Sequence, residues 1–242
     1  MTTTYTTPGG HYSTLYLDMA AQPHLLIAGA TGSGKSVVEN GIIHALLVNR
    51  TPATCRLILI DPKRVELVQY NALPHVLQYA SADGEPVRAL RSAVSLMESR
   101  FADMQERGLK KYDGADVYVI VDELADLMLT DKKTAQPLLQ RIAQLGRAAR
   151  IHLFCCTQCP LAKVIPTEIK CNLDSRVGLR TRSAQDSRNI LGVAGCELLP
   201  RYGQGYYMTP EGIDRWRLPM IPDEDIASVV SYWTGPACCR IA

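Results

Sequence analysis

The sequence predicts an α/β fold with a mostly parallel central sheet and helices on both faces. Three observations carry this expectation. Short continuous apolar runs alternate with stretches of helical period, the pattern of buried strands joined by crossover helices. A glycine-rich turn, GATGSGKS at 29–36, falls between one such run and a helix. A further run, VYVIVDE at 117–123, ends in paired acids. The chain has 242 residues, enough to bury a sizeable core in one domain.

The elements follow in order. His24 to Ala28 is a short apolar strand, and a helix starts near Ser36 with Val37, Val38, Ile42, Ile43, Leu46 and Leu47 on one face. Leu57 to Ile60 is a second strand, ended by Asp61-Pro62. A long helix is predicted from about Pro86, with Val87, Leu90, Val94, Met97, Phe101 and Met104 spaced three and four apart; Gly108 stops it. Val117 to Val121 is a third strand and a helix is predicted around Leu138 to Ala149. Ile151 to Cys156 and Arg176 to Arg180 are further strands.

Apolar residues make up 47% of the chain and charged residues 21%, and the formal net charge is +2. That balance does not announce a nucleic-acid binder, but it leaves room for a local basic surface. No apolar run approaches the roughly 20 residues that span a bilayer. The N-terminus lacks a charged segment followed by an apolar one, so the expected location is cytoplasmic. Eight cysteines in this length are then expected to be free thiols.

GATGSGKS fits G-x-x-x-x-G-K-[ST], and it sits after a strand and before a helix, as that motif requires. Glycines let the backbone wrap phosphate oxygens while amides at the helix start face the anion. The expected nucleotide contacts are Gly29, Ala30, Thr31, Gly32, Ser33, Gly34, Lys35, Ser36 and Val37. Lys35 would reach the β- and γ-phosphates of ATP, and Ser36 would hold Mg²⁺. In VYVIVDE, the strand end delivers Asp122 to the Mg²⁺ shell, and Glu123 is placed to deprotonate the attacking water. The competing reading of such paired acids is a solvated helix start.

HLLIAGATGSGKSVVENGII, LILIDPKRVELVQYNALPHV, VIVDELADLM, RIAQLGRAARIHLFCCTQCP, IKCNLDSRVGL and DSRNIL occur in this order. Together they resemble the FtsK/SpoIIIE family of motor ATPases over about residues 20–233. The resemblance implies a RecA-like P-loop core at 19–233, between an N-terminal extension (1–18) and a C-terminal tail (234–242). It also implies ATP hydrolysis with Mg²⁺, a homo-oligomer in the form of a hexameric ring, and translocation of double-stranded DNA. The same family includes type VII secretion ATPases that engage polypeptides, which is the alternative; a single such domain favours DNA. The short flanks suggest a stripped core served by a separate adaptor or membrane partner.

Carried over by resemblance, Gln158 is a γ-phosphate sensor and Arg176 a finger entering the neighbouring subunit's site. Arg147 and Arg150 compete for the finger role, and a salt-bridged surface arginine is the plain reading of Arg176. Asp61 to Arg64 is expected to support the site. Lys163, Lys170, Arg188 and Arg201 form a candidate basic lining for DNA, with a solvated face as the alternative. Two positions depart from the family pattern: Arg150 stands where glycine is usual, and Cys159 where arginine is usual.

FCCTQCP at 154–160 holds a Cys156–Cys159 pair with CxxC spacing. A structural zinc site wants a second close pair, and the other candidates (Cys171, Cys196, Cys238, Cys239) do not form one. A redox pair belongs near a helix start. Cys155 and Cys156 therefore read as small core residues at a strand end that presents Gln158.

Overall fold

The computed structural model describes residues 2–3, 15–16, 22–217 and 220–235. Most of the expected extension (1–18) and tail (234–242), with Cys238 and Cys239, lies outside the described residues.

The central sheet has eight strands: β1 (Leu25–Ala28), β2 (Cys55–Ile60), β3 (Val76–Ala80), β4 (Asp116–Val121), β5 (Ile151–Thr157), β6 (Ser175–Leu179), β7 (Gln204–Thr209) and β8 (Gly212–Arg217). They lie in the order β8-β7-β6-β1-β5-β4-β2-β3. The pairings from β6 across to β3 are parallel, and the β7–β8 hairpin adds antiparallel strands at one edge. Thr2–Thr3 and Leu15–Tyr16 form a separate antiparallel pair.

The predicted fold class is what the chain adopts. Side chains alternate across each central strand, and both faces are apolar, so the strands read as unbroken hydrophobic runs. Leu26 and Ala28, Val117, Val119 and Val121, and Ile151, Leu153 and Cys155 join one core. It is covered by α2 (Glu85–Arg107), α3 (Leu124–Thr130), α4 (Lys132–Leu145), α5 (Thr167–Lys170) and α6 (Ala184–Leu191). Leu25, Ile27, Tyr118, Ile120, Phe154 and Cys156 join the other, beneath α1 (Lys35–Asn49) and α7 (Asp223–Thr234).

Helix α2 begins and ends where the sequence placed it. Pro86 lies in its first turn, and the Glu85 carboxylate accepts from the amides of Ser81 and Ala82 at 2.9 and 2.8 Å. Gly108 closes it at φ 65, a conformation that a Cβ would strain. The helix expected at 138–149 instead spans 132–145 and carries Pro137 inside it. After it, Gly146 to Arg150 turn back into β5, with the Ile151 amide bonded to the Gly146 carbonyl at 2.9 Å.

Candidate functional site

The site is built at the C-terminal edge of the parallel strands. The loop leaving β1 is tied to both neighbours: Gly29 N–H donates to the Thr157 carbonyl (3.3 Å) and Ala30 N–H to the Arg180 carbonyl (2.8 Å). A Cβ on Gly29 would stand 2.6 Å from both Leu179 Cβ and Ser33 Oγ, so only glycine permits this approach. Gly32 and Gly34 adopt φ of 72° and 98°, turning the chain into the first residue of α1. The result is a backbone cradle at a helix start, which suits a phosphate group.

Lys35 is buried and folded inward. Its Nζ meets Asp122 Oδ1, donates to the Asp122 carbonyl at 3.0 Å and lies 3.6 Å from Glu39 Oε2. Burial opposes its charge, but the acids around it more than offset that and raise its pKa above the ordinary lysine value. Glu39 is buried with neither carboxyl oxygen hydrogen-bonded, and burial pushes its pKa up to about 8. Asp122 is the acid that Lys35 contacts most closely, through both its carboxylate and its carbonyl.

Ser36 Oγ donates to Glu66 Oε1 at 2.6 Å. That bond fixes the hydroxyl proton and leaves an oxygen lone pair free, the state in which a hydroxyl can ligate a metal ion. Ser36, Asp122 and Glu66 supply hard oxygen donors of the kind Mg²⁺ takes, with phosphates and waters completing its shell. Among the described residues no group of three or more His, Cys, Asp or Glu is placed to hold a metal alone. The donor set fits a metal brought in with a nucleotide.

Strand order decides what faces the phosphate loop. β5 lies between β1 and β4, so Thr157 and Gln158 stand between the loop and the paired acids. Thr31 Oγ1 donates to Gln158 Oε1 at 2.7 Å. Glu123 is almost fully buried. Its Oε1 accepts from Thr157 Oγ1 (2.8 Å), the Gln158 amide (3.2 Å) and the Ala125 amide (3.3 Å). Its Oε2 accepts from Lys63 Nζ at 3.3 Å, and Lys63 also lies 3.6 Å from Asp126. A cleft of about 480 Å³ opens in front of these groups, lined by Thr31, Lys63, Glu123, Gln158, Lys163 and Arg182 among others.

Within DPKR the supporting roles expected of the segment divide between residues. Asp61 is fully buried and accepts from the Leu67 amide (3.0 Å) and Tyr79 Oη (3.3 Å), so it braces the loop. Lys63 reaches Glu123 and Asp126. The motifs GATGSGKS and DPKR leave out Glu66 and Glu39. The signal for the first lay in DPKRVEL, directly after an apolar strand that ends beside the site.

Arg176 is used differently from expectation. Its guanidinium donates to three carbonyls of its own subunit, those of Leu173 (2.9 Å), Lys170 (2.9 Å) and Ile190 (3.1 Å). It is the second residue of β6, at the strand end away from the phosphate loop. A group so committed would have to abandon three hydrogen bonds to enter a neighbour's site. Arg150 is likewise occupied, pairing with Asp116 through two bonds of 2.7 Å.

The cations expected to line DNA fall in different places. Lys163 lines the cleft, and Arg188 is exposed on α6. Lys170 Nζ donates to the Asn189 carbonyl at 3.3 Å. Arg201 lies against the phosphate loop, its Nη2 3.9 Å from where a Cβ on Gly32 would stand.

The described cysteines are free thiols. Cys155 and Cys156 are buried on opposite faces of β5, in different cores, and burial raises both thiol pKa values. Cys159 is partly buried, and its amide donates to Thr157 Oγ1 at 3.1 Å. The pair therefore brackets a turn that aims Gln158.

Comparison with known proteins shows the family of the chain. The model of the FtsK/SpoIIIE family matches residues 7–118 and 115–162, more than half of the chain. The DNA translocase FtsK of Rickettsia prowazekii (strain Madrid E) is 37% identical over 262 residues, covering 90% of this chain and 35% of that protein. The chain thus spans about a third of the length of the curated relatives it matches. Among solved structures, the cytoplasmic domain of the Thermomonospora curvata Type VII Secretion ATPase EccC superposes with a TM-score of 0.79. It is 25% identical, over 93% of this chain and 30% of that one. The pCW3 conjugation coupling protein TcpA, solved with ATPγS, superposes with a TM-score of 0.80 at 24% identity, over 96% of this chain and 70% of that one.

Proposed function

We propose that this chain, which belongs to the FtsK/SpoIIIE family, is an ATPase core that moves double-stranded DNA. The observation that carries the hydrolytic part is the buried Glu123, oriented by Thr157 and Gln158 at the end of β4 and facing the cleft beside the phosphate loop. The DNA part rests on the sequence likeness to DNA translocase FtsK. A ring of like subunits, hexameric by family resemblance, and a separate adaptor or membrane partner belong to the same proposal. No helix among the described residues is long and apolar enough to cross a membrane.

In this reading Lys35 leaves Asp122 for the β- and γ-phosphates. Ser36, through its free lone pair while Glu66 keeps the hydroxyl proton, and Asp122 would hold Mg²⁺ beside the phosphates. Mg²⁺ supplies charge neutralisation on the phosphates. Lys63 yields its place on Glu123 Oε2 to a water molecule. That water's oxygen bonds to the γ-phosphorus as the β–γ bridge breaks, and Glu123 takes its proton. Gln158, released from Thr31, reports on the γ-phosphate.

A second reading, a motor engaging polypeptide, is favoured by the likeness to EccC. Steady-state ATP hydrolysis with and without long duplex DNA at low salt separates the two. We expect stimulation by DNA; hydrolysis indifferent to DNA would remove the translocase reading. Glu123→Gln should still bind ATP while turnover falls by about 10²-fold or more. Unchanged turnover would show that another group is the base.

A further inference from the structure

The loop before β7 approaches the phosphate loop from the side opposite Glu123. β7 runs antiparallel to β6, with Gly205 paired to Leu179, so residues 201–203 are returned to the C-terminal edge of the sheet. There the Arg201 guanidinium lies with Nη2 and Nε 3.9 and 4.0 Å from the position a Cβ would take on Gly32. The Gly203 amide nitrogen is 3.8 Å from the corresponding position on Gly34. Arg201 is exposed, rests 5.3 Å from the centre of the Tyr202 ring, and has no acidic partner among the described residues. An unpaired guanidinium held over glycines at a helix start is a fork of donors aimed at an anion site.

We propose that Arg201 is a phosphate-binding residue of the nucleotide site in its own subunit, and not a DNA contact. This rests on the ATPase reading above. Strand order says which phosphate it meets. Gln158 and Glu123 end strands on one side of β1 and define the γ-phosphate region, whereas Arg201 arrives beyond β6 on the other side. Arg201 therefore serves the phosphates nearer the nucleoside, which ADP and ATP share. This placement follows from the antiparallel return of β7 and not from any spacing of residues along the chain.

The test is equilibrium binding of ATP and of ADP, each with Mg²⁺, to the unsubstituted protein and to Arg201→Ala. Duplex DNA affinity is measured in parallel at one salt concentration. Loss of one charge-assisted hydrogen bond should weaken both nucleotides by about tenfold or more. Arg201→Lys should recover part of the loss, and DNA affinity should not change. Equal nucleotide affinities in the unsubstituted protein and Arg201→Ala would overturn the inference. So would weakening of ATP alone, which would mark a γ-phosphate sensor, or loss of DNA affinity with nucleotide binding intact. If the unsubstituted protein binds neither nucleotide, the ATPase reading falls, and this inference with it.

Discussion

Arg150 shows what one substitution can ask of its surroundings. It adopts φ 55, a left-handed conformation that costs a non-glycine residue roughly 1 kcal/mol or more, at the turn where the family resemblance leads one to expect glycine. The guanidinium pairs with both oxygens of Asp116, which also accepts from His152 at 3.0 Å and lies 3.5 Å from Arg50. Burial alone would raise the Asp116 pKa, but the hydrogen bonds from His152 and Arg150 outweigh it and hold the carboxyl well below the usual range. A carboxyl depressed in the folded state stabilises fully above its unfolded pKa of about 3.9, and that contribution is lost as pH falls through the folded value. Asp116→Asn should cost about 3 kcal/mol at neutral pH. Thermal melts from about pH 6 down to about pH 2 should narrow the gap between the two proteins as acid begins to titrate the carboxyl. A gap that stays constant with pH would remove Asp116 from this role.

At the scale of elements, the buried strands were legible because both their faces are apolar, which leaves an unbroken hydrophobic signature. GATGSGKS and VYVIVDE were legible because their chemistry requires their spacing. What escaped were elements without that contrast. β3 is an edge strand with mixed burial, and most of β8 is exposed, so neither carries a clear period. Nor does linear order reveal that β5 inserts between β1 and β4, or that β7 brings Arg201 to the phosphate loop. Helix α7 falls inside the stretch of family resemblance but follows the last of its motifs, yet it seals a core. Trp233 is 8% exposed, its Nε1 donates to the Leu47 carbonyl at 2.9 Å, and its ring meets His75 edge-on at 4.6 Å. Trp233→Ala should lower unfolding free energy by about 3–5 kcal/mol in denaturant titrations, and Trp233→Phe by about 1 kcal/mol. Equal small losses in both would mean that α7 adds little to the core.

In the proposed ring one site must sense its neighbour, and two accounts of Arg176 part at that point. A trans-acting finger is a free guanidinium on a surface, silent in the isolated subunit and worth several powers of ten in rate once assembled. Arg176 instead joins the turn after α5, the start of β6 and the end of α6 through three carbonyls, and burial lowers its pKa. Removing it leaves those acceptors without their donor in a half-buried setting, so Arg176→Ala should cost about 3 kcal/mol of stability in the unassembled chain. Lysine, with a single tetrahedral ammonium, cannot span acceptors that the planar fork reaches together, so Arg176→Lys should restore less than half of that loss. Chemical denaturation at concentrations where the protein is monomeric reads this directly. Unchanged monomer stability, with hydrolysis lost only on assembly, would return Arg176 to the finger role. The expected loss of stability would instead direct the search for a finger to arginines with free guanidinium groups on the surface.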